Sequence, residues 1–197
     1  MNRMRPLAVA SLLAVVGVGL VAIALADPGM RRDIRPGVYP ADFALTLDQQ
    51  AVRKFTANDI RSFVYRVFSM YERATSDSHH VGPEAFRLLL DDNVHIDFPD
   101  YKITQWAEFV AWHKWIHGRL VGDDHVLGPI DVKFMSDGRY QAHFVVLWRA
   151  LFKTGEYTEV HVDQTWSLRE QADRDLPVIE TYVARVADAR VLDQASH

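Results

Sequence analysis

Apolar and polar residues alternate most regularly between Tyr140 and Leu168. Tyr140, Ala142, Phe144, Val146, Trp148, Ala150 and Phe152 fall on one side of an extended chain. Gln141, His143, Val145, Leu147, Arg149 and Leu151 fall on the other. A second run sets Val160, Val162, Gln164, Trp166 and Leu168 against His161, Asp163, Thr165 and Ser167. Side chains on a strand switch faces at each residue, so this period of two predicts two long strands of a sheet with one dry face. Between them, Lys153-Thr154-Gly155-Glu156 predicts a tight turn, in which glycine reaches backbone angles closed to other residues.

Upstream the period changes. Ile60, Phe63, Val64, Val67, Phe68 and Tyr71 recur at helical spacing, and Thr56 or Asn58 can cap a helix running to about Thr75. Arg61, Arg66, Glu72 and Arg73 lie off the stripe, and Glu72 and Asp59, its acids, lie near the helix ends. Pro83 suits the first turn of a second short helix buried through Phe86, Leu89 and Leu90. Val94, Ile96 and Phe98 share one face of a short strand, His95 and Asp97 the other, and Pro99 stops it. A third helix is expected from about Gln105 to Leu120 after Thr104. A strand follows from His125 to Met135, then a hairpin turn at Asp137-Gly138. After the polar loop from Glu170 to Asp175, Pro177 to Val186 forms the last strand.

The N-terminal segment reads differently. Arg3 and Arg5 precede an uncharged apolar run from Leu7 to Ala26, and Ala24-Leu25-Ala26 offers small residues ahead of Asp27. That is the layout of an export signal, although the run exceeds the ~7–15 residues of a usual signal core and approaches the ~20 that span a bilayer. The expectation is a signal peptide or membrane anchor over residues 1–26, placing the folded part in the periplasm or outside the cell. Residues 27–55, punctuated by Pro28, Gly29, Pro36, Gly37 and Pro40, read as a linker with room for one short helix between Leu45 and Phe55. Residues 56–187 form the domain and 188–197 a tail.

The 197 residues, 49% of them apolar, can bury a sizeable core. A net charge of −4 with no basic stripe argues against nucleic acid as a partner. With no cysteine, disulfides and a thiol nucleophile are excluded.

Candidate chemistry is sparse. His113 and His117 lie one turn apart on a helix, a spacing that suits a metal, but Lys114 stands where a zinc-protease motif has glutamate and no third ligand is evident. Packing is the alternative for both, and no metal site is expected. Gln164 is a polar group on a dry strand face, either a pocket group or a satisfied core amide. Trp148 and Trp166 share its face and either line a cavity for a flat apolar ligand or pack the core. Tyr182, on the last strand, is a candidate hydrogen-bond donor.

The order helix, helix, short strand, helix, antiparallel sheet resembles the nuclear-transport-factor-2-like superfamily and within it the SnoaL-like branch. The residues that carry the resemblance are Val94-His95-Ile96-Asp97-Phe98-Pro99, His125, Asp137-Gly138 and Gln164-Thr165-Trp166. It implies an α+β fold in which a curved antiparallel sheet wraps around three helices to make a cone with an open pocket. It further implies a small apolar ligand, pairing of two copies through the sheet, and acid–base isomerisation, dehydration or hydrolysis without metal or cofactor. Isomerases of the superfamily hold an aspartate base just before a proline. Here Asp97 is one residue earlier, which turns it to the opposite strand face and puts Phe98 in the base's place. Dehydratase relatives hold a histidine base at the position of His125, with an aspartate from the first helix. Here that helix has acids only near its ends, so the pair is incomplete. His125 is the expected base, with Gln164 or Asp97 assisting, and Phe98, Trp148, Gln164, Trp166 and Tyr182 the expected pocket. Members without catalysis exist as well. The competing expectation is therefore an interaction or dimerisation domain that uses the outer sheet face (His143, Arg149, His161, Asp163).

Overall fold

The computed structural model of the protein describes residues 40–75 and 78–192. The expected signal or anchor segment and most of the linker lie outside these residues. Among the described residues no helix is long and apolar enough to cross a membrane.

Helix α1 spans Ala41–Ala51 and buries none of its residues. Helix α2, Ala57–Arg73, buries the expected stripe from Ile60 to Tyr71. Thr56 and Asp59 close a reciprocal cap at its start: the Asp59 N–H donates to Thr56 Oγ1 at 3.2 Å and the Thr56 N–H to Asp59 Oδ2 at 2.8 Å. The short element after Pro83 is a single 3-10 turn, Pro83–Phe86, rather than a helix reaching Leu90. Leu90 instead opens strand β1, Leu90–Phe98. After β2, Tyr101–Ile103, helix α3 covers Trp106–His117. Thr104 does not cap it with its side chain. The Glu108 carboxylate reaches back to accept from the Thr104 N–H at 2.7 Å. Gly118 ends α3, and a β-carbon there would meet the Lys114 carbonyl oxygen at 2.8 Å.

The strand expected from His125 to Met135 is two strands, β3 (Leu120–Leu127) and β4 (Asp131–Phe134), broken at Gly128-Pro129. His125 therefore lies late in β3 and does not open it. Both pieces pair with one edge of β5, Tyr140–Phe152. β6 (Tyr157–Arg169) and β7 (Val178–Leu192) complete one sheet in the order β2-β1-β7-β6-β5-β3, with β4 beside β5. Every pairing is antiparallel except β1 with β7. Gly138 and Gly155 sit in the two hairpin turns at φ 92° and 89°, which a β-carbon would strain.

Register shifts interrupt the β1–β7, β3–β5 and β6–β7 ladders. Such bulges bend and twist strands, so the sheet curls around α2. Its dry face supplies Tyr140, Ala142, Phe144, Val146, Trp166 and Leu168 to the core against Phe63, Val67 and Phe68 of α2. The architecture is the expected α+β cone. Among the described residues its helices are α1, α2 and α3, with the 3-10 turn in place of the expected second helix.

Candidate active site

One end of the cone is hollow. A cavity of about 380 Å³ opens between α2, α3 and the concave face of the sheet. Its walls are mostly aromatic or aliphatic: Phe68, Phe98, Trp112, Trp148, Val160 and Val162. Trp115 and Val186, each 50% exposed, stand at its mouth. The Arg119 guanidinium lies over the Trp115 ring there at 4.9 Å.

Set in these apolar walls is a polar cluster. β3 projects Asp123 and His125 inward, because residues two apart share a strand face. The His125 main-chain N–H donates to Glu72 Oε1 at 3.0 Å, and His125 Nδ1 lies 3.6 Å from the same oxygen. The imidazole is 11% exposed and packs on the Phe68 ring at 4.9 Å between centroids. Glu72 thus supplies the carboxylate that the α2 stripe lacks. A signal for it existed: an acid in a helix's last turn opposes the helix dipole, so its presence there calls for another reason. Asp123, which the sequence reading passed over, lies within reach of Thr75 Oγ1 at 3.4 Å and Trp148 Nε1 at 3.5 Å. Burial raises its carboxyl pKa above the usual range.

Across the cavity, Gln164 is a bridging amide. Its Oε1 accepts from Trp166 Nε1 at 3.2 Å. The Gln164 side chain also lies beside the Tyr182 hydroxyl and works against the rise in its pKa. Tyr182 lines the cavity as well. Tyr71, from α2, also lines the cavity. Burial first, and then the neighbouring Tyr182, raises its phenol pKa; burial raises that of Tyr182 as well, so both stay protonated donors.

Of the residues expected at the site, His125, Phe98, Trp148, Gln164 and Tyr182 line this cavity together. Trp166 does not: it is fully buried behind the wall, stacked on Phe68 at 5.5 Å and against Tyr182 at 4.6 Å. Asp97 is also outside it, on the far face of β1. There it pairs with Arg185, whose Nη1 donates to the Asp97 carbonyl at 3.0 Å. The Arg185 guanidinium holds the Asp97 carboxyl below its usual pKa range. Asp97 therefore has no route to assist a base in the cavity, and Phe98 occupies the inward position, packed on Trp112 at 4.5 Å. His113 and His117 are one turn apart with rings 4.3 Å apart, and among the described residues no three groups come together to hold a metal.

No protein-family profile matches the chain, and no curated protein sequence matches it. Solved structures do. A candidate scytalone dehydratase from Novosphingobium aromaticivorans superposes with a TM-score of 0.57 at 14% identity, covering 73% of this chain and 90% of that one. The hexachlorocyclohexane dehydrochlorinase LinA-type3 from Novosphingobium barchaimii gives 0.55 at 9% identity, covering 68% and 90%. A nuclear-transport-factor-2-like superfamily protein from Salmonella enterica gives 0.57 at 11% identity, covering 71% and 96%. At these identities the likeness is one of fold: the chain has the nuclear-transport-factor-2-like cone fold.

Proposed function

We propose that the cavity takes up a small, largely apolar molecule and removes a proton from it, with His125 as base and Glu72 as its orienting acid. One observation carries the reading. A single carboxylate holds the His125 main chain at 3.0 Å and faces its ring Nδ1 at 3.6 Å, beside an otherwise apolar hollow. A carboxylate beside Nδ1 favours the proton there and leaves the basic lone pair on Nε2. The proton leaves substrate carbon for Nε2. The electron pair left behind either expels a leaving group, an elimination such as dehydration, or moves along to be reprotonated, an isomerisation. The Tyr182 and Tyr71 hydroxyls donate to oxygen on which charge builds, in a cavity where water competes weakly. The dehydratase and the dehydrochlorinase among the structures of like fold support elimination as the first class to test.

Because the natural substrate is unidentified, the probe is 5-nitrobenzisoxazole. Loss of one C–H proton to a base opens its N–O bond and releases a coloured phenolate. The full chain is expected to turn it over, and His125→Ala to lose at least ~100-fold, the usual contribution of a positioned base. Equal turnover in the two proteins removes His125 from the role.

We also propose that the folded part works outside the cytoplasm, on the strength of Arg3, Arg5 and the apolar run from Leu7 to Ala26. Sequencing the mature N-terminus checks this: a start at Asp27 fits a cleaved signal, a retained Leu7–Ala26 run an anchor, and cytosolic recovery of the intact chain defeats both.

A further inference from the structure

His117 stands out among the buried polar side chains. It ends α3, lines the cavity, and has both ring nitrogens buried with no hydrogen-bond partner. Its ring is wedged in place, stacked on Tyr71 at 6.4 Å, edge-on to Trp112 at 6.5 Å and beside His113 at 4.3 Å. A buried polar atom left unpaired costs about 1–3 kcal/mol, and this ring carries two. A phenylalanine would fill the same space without that cost, so packing gives no reason for an imidazole here.

We propose that His117 is the recognition residue for an oxygen on the ligand, and that the cavity therefore selects flat apolar molecules bearing a hydroxyl group over the bare hydrocarbon. The proposal rests on the cavity being a ligand site, as above. Neutral imidazole offers one donor and one acceptor, and a hydroxyl group is the complement of either. Burial, reinforced by His113, His125 and His80, pushes the His117 pKa down to about 3, so the ring meets its ligand uncharged. An uncharged partner suits a neutral hydroxyl better than a carboxylate. His125 and His117 then divide the work: one takes the proton, the other sets which end of the molecule faces it. His117 is a specificity residue in this arrangement and not a second base.

The test uses two probes of one skeleton, naphthalene and 2-naphthol, read by quenching of tryptophan emission, since Trp112 and Trp148 line the cavity. The full-length wild type is expected to bind 2-naphthol at least about tenfold more tightly, a typical return for one buried hydrogen bond. In His117→Phe that preference is expected to vanish, so that the two probes bind with equal affinity. A second reading needs no variant: the His117 ring-nitrogen resonances of the wild type shift on adding 2-naphthol and stay still with naphthalene. A preference that survives in His117→Phe, equal binding of both probes by wild type, or unmoved resonances overturns the role of His117 and leaves the cavity as a ligand site. Failure of both probes to bind overturns the cavity reading itself, and this one with it.

Discussion

The two faces of the sheet treat polar groups in opposite ways. On the outer face, charges are paired off. Arg139 bridges Asp137 and Glu180, Arg169 bridges Glu180 and Asp91, and Arg149 holds Asp124. His143 meets Asp163 at 3.0 Å and Arg185 meets Asp97. Beneath the inner face, ring nitrogens of His125 on β3 and of His113 and His117 on α3 are buried without a hydrogen bond. The difference teaches that the outer charges find partners within the fold, while His125 and His117, which line the hollow, keep ring nitrogens that the chain leaves unpaired. It also bears on the interaction-domain reading. Three of the four outer residues expected to hold a partner, His143, Arg149 and Asp163, are already paired with one another or with Asp124.

The largest effect should come from an inner-face change that keeps the shape. Glu72→Gln can still accept the His125 N–H but carries no charge, so it should fold normally. It should slow elimination of 5-nitrobenzisoxazole by at least about tenfold, as expected when a base loses its orienting anion. A rate equal to wild type would mean that the carboxylate only ties β3 to α2.

Acid should come next. Burial pushes the His113 pKa down to about 4 and that of His117 to about 3, below the ~6.5 of free imidazole. Between those values the unfolded chain binds protons that the folded chain refuses. Stability is thus complete above about pH 6.5 and is lost as pH falls toward 4, by on the order of 2 kcal/mol for His113, which is 2% exposed. His80, His117 and His125 are the titratable neighbours that reinforce the trend. Melting curves from pH 7 to pH 4 should show the decline, and His113→Phe should flatten it. A slope unchanged in that variant would place the acid sensitivity elsewhere.

On the outer face, Asp91 is the pairing closest to the core. Burial works against its charge, but the Asn93 N–H at 2.9 Å and the Arg169 guanidinium outweigh that and hold its pKa below the usual range. Asp91→Asn should lower stability by about 1–3 kcal/mol in denaturant melts, the loss of a charge-assisted hydrogen bond at a buried carboxylate, with Glu180 still beside Arg169. It should leave probe turnover untouched; a loss of turnover at unchanged stability would blur the division between the faces. Smallest of all, Asp97→Asn removes an exposed ion pair. Neither the melting temperature nor the turnover should move measurably, since exposed pairs contribute little. A clear fall in turnover would restore Asp97 to the site.

Much of this was open to reading along the chain. The period of two placed Trp148, Gln164 and Tyr140 on one face, the helical period placed Tyr71 and Phe68 on the buried side of α2, and the one-residue offset before Pro99 turned Asp97 outward in favour of Phe98. These follow from local geometry: which face a side chain takes depends on its spacing from its neighbours, and spacing is written in the sequence. What lies across space is not. That Glu72 reaches β3, that Gln164 lies beside Tyr182, that Trp166 sits behind the wall instead of in it, and that His117 is left without a partner depend on how the bulged sheet curls about α2. Hydrophobic burial decides which faces meet but is indifferent to direction. Hydrogen bonds depend on both distance and angle, and those are settled only when residues 53 positions apart, such as Glu72 and His125, are brought within 3.0 Å.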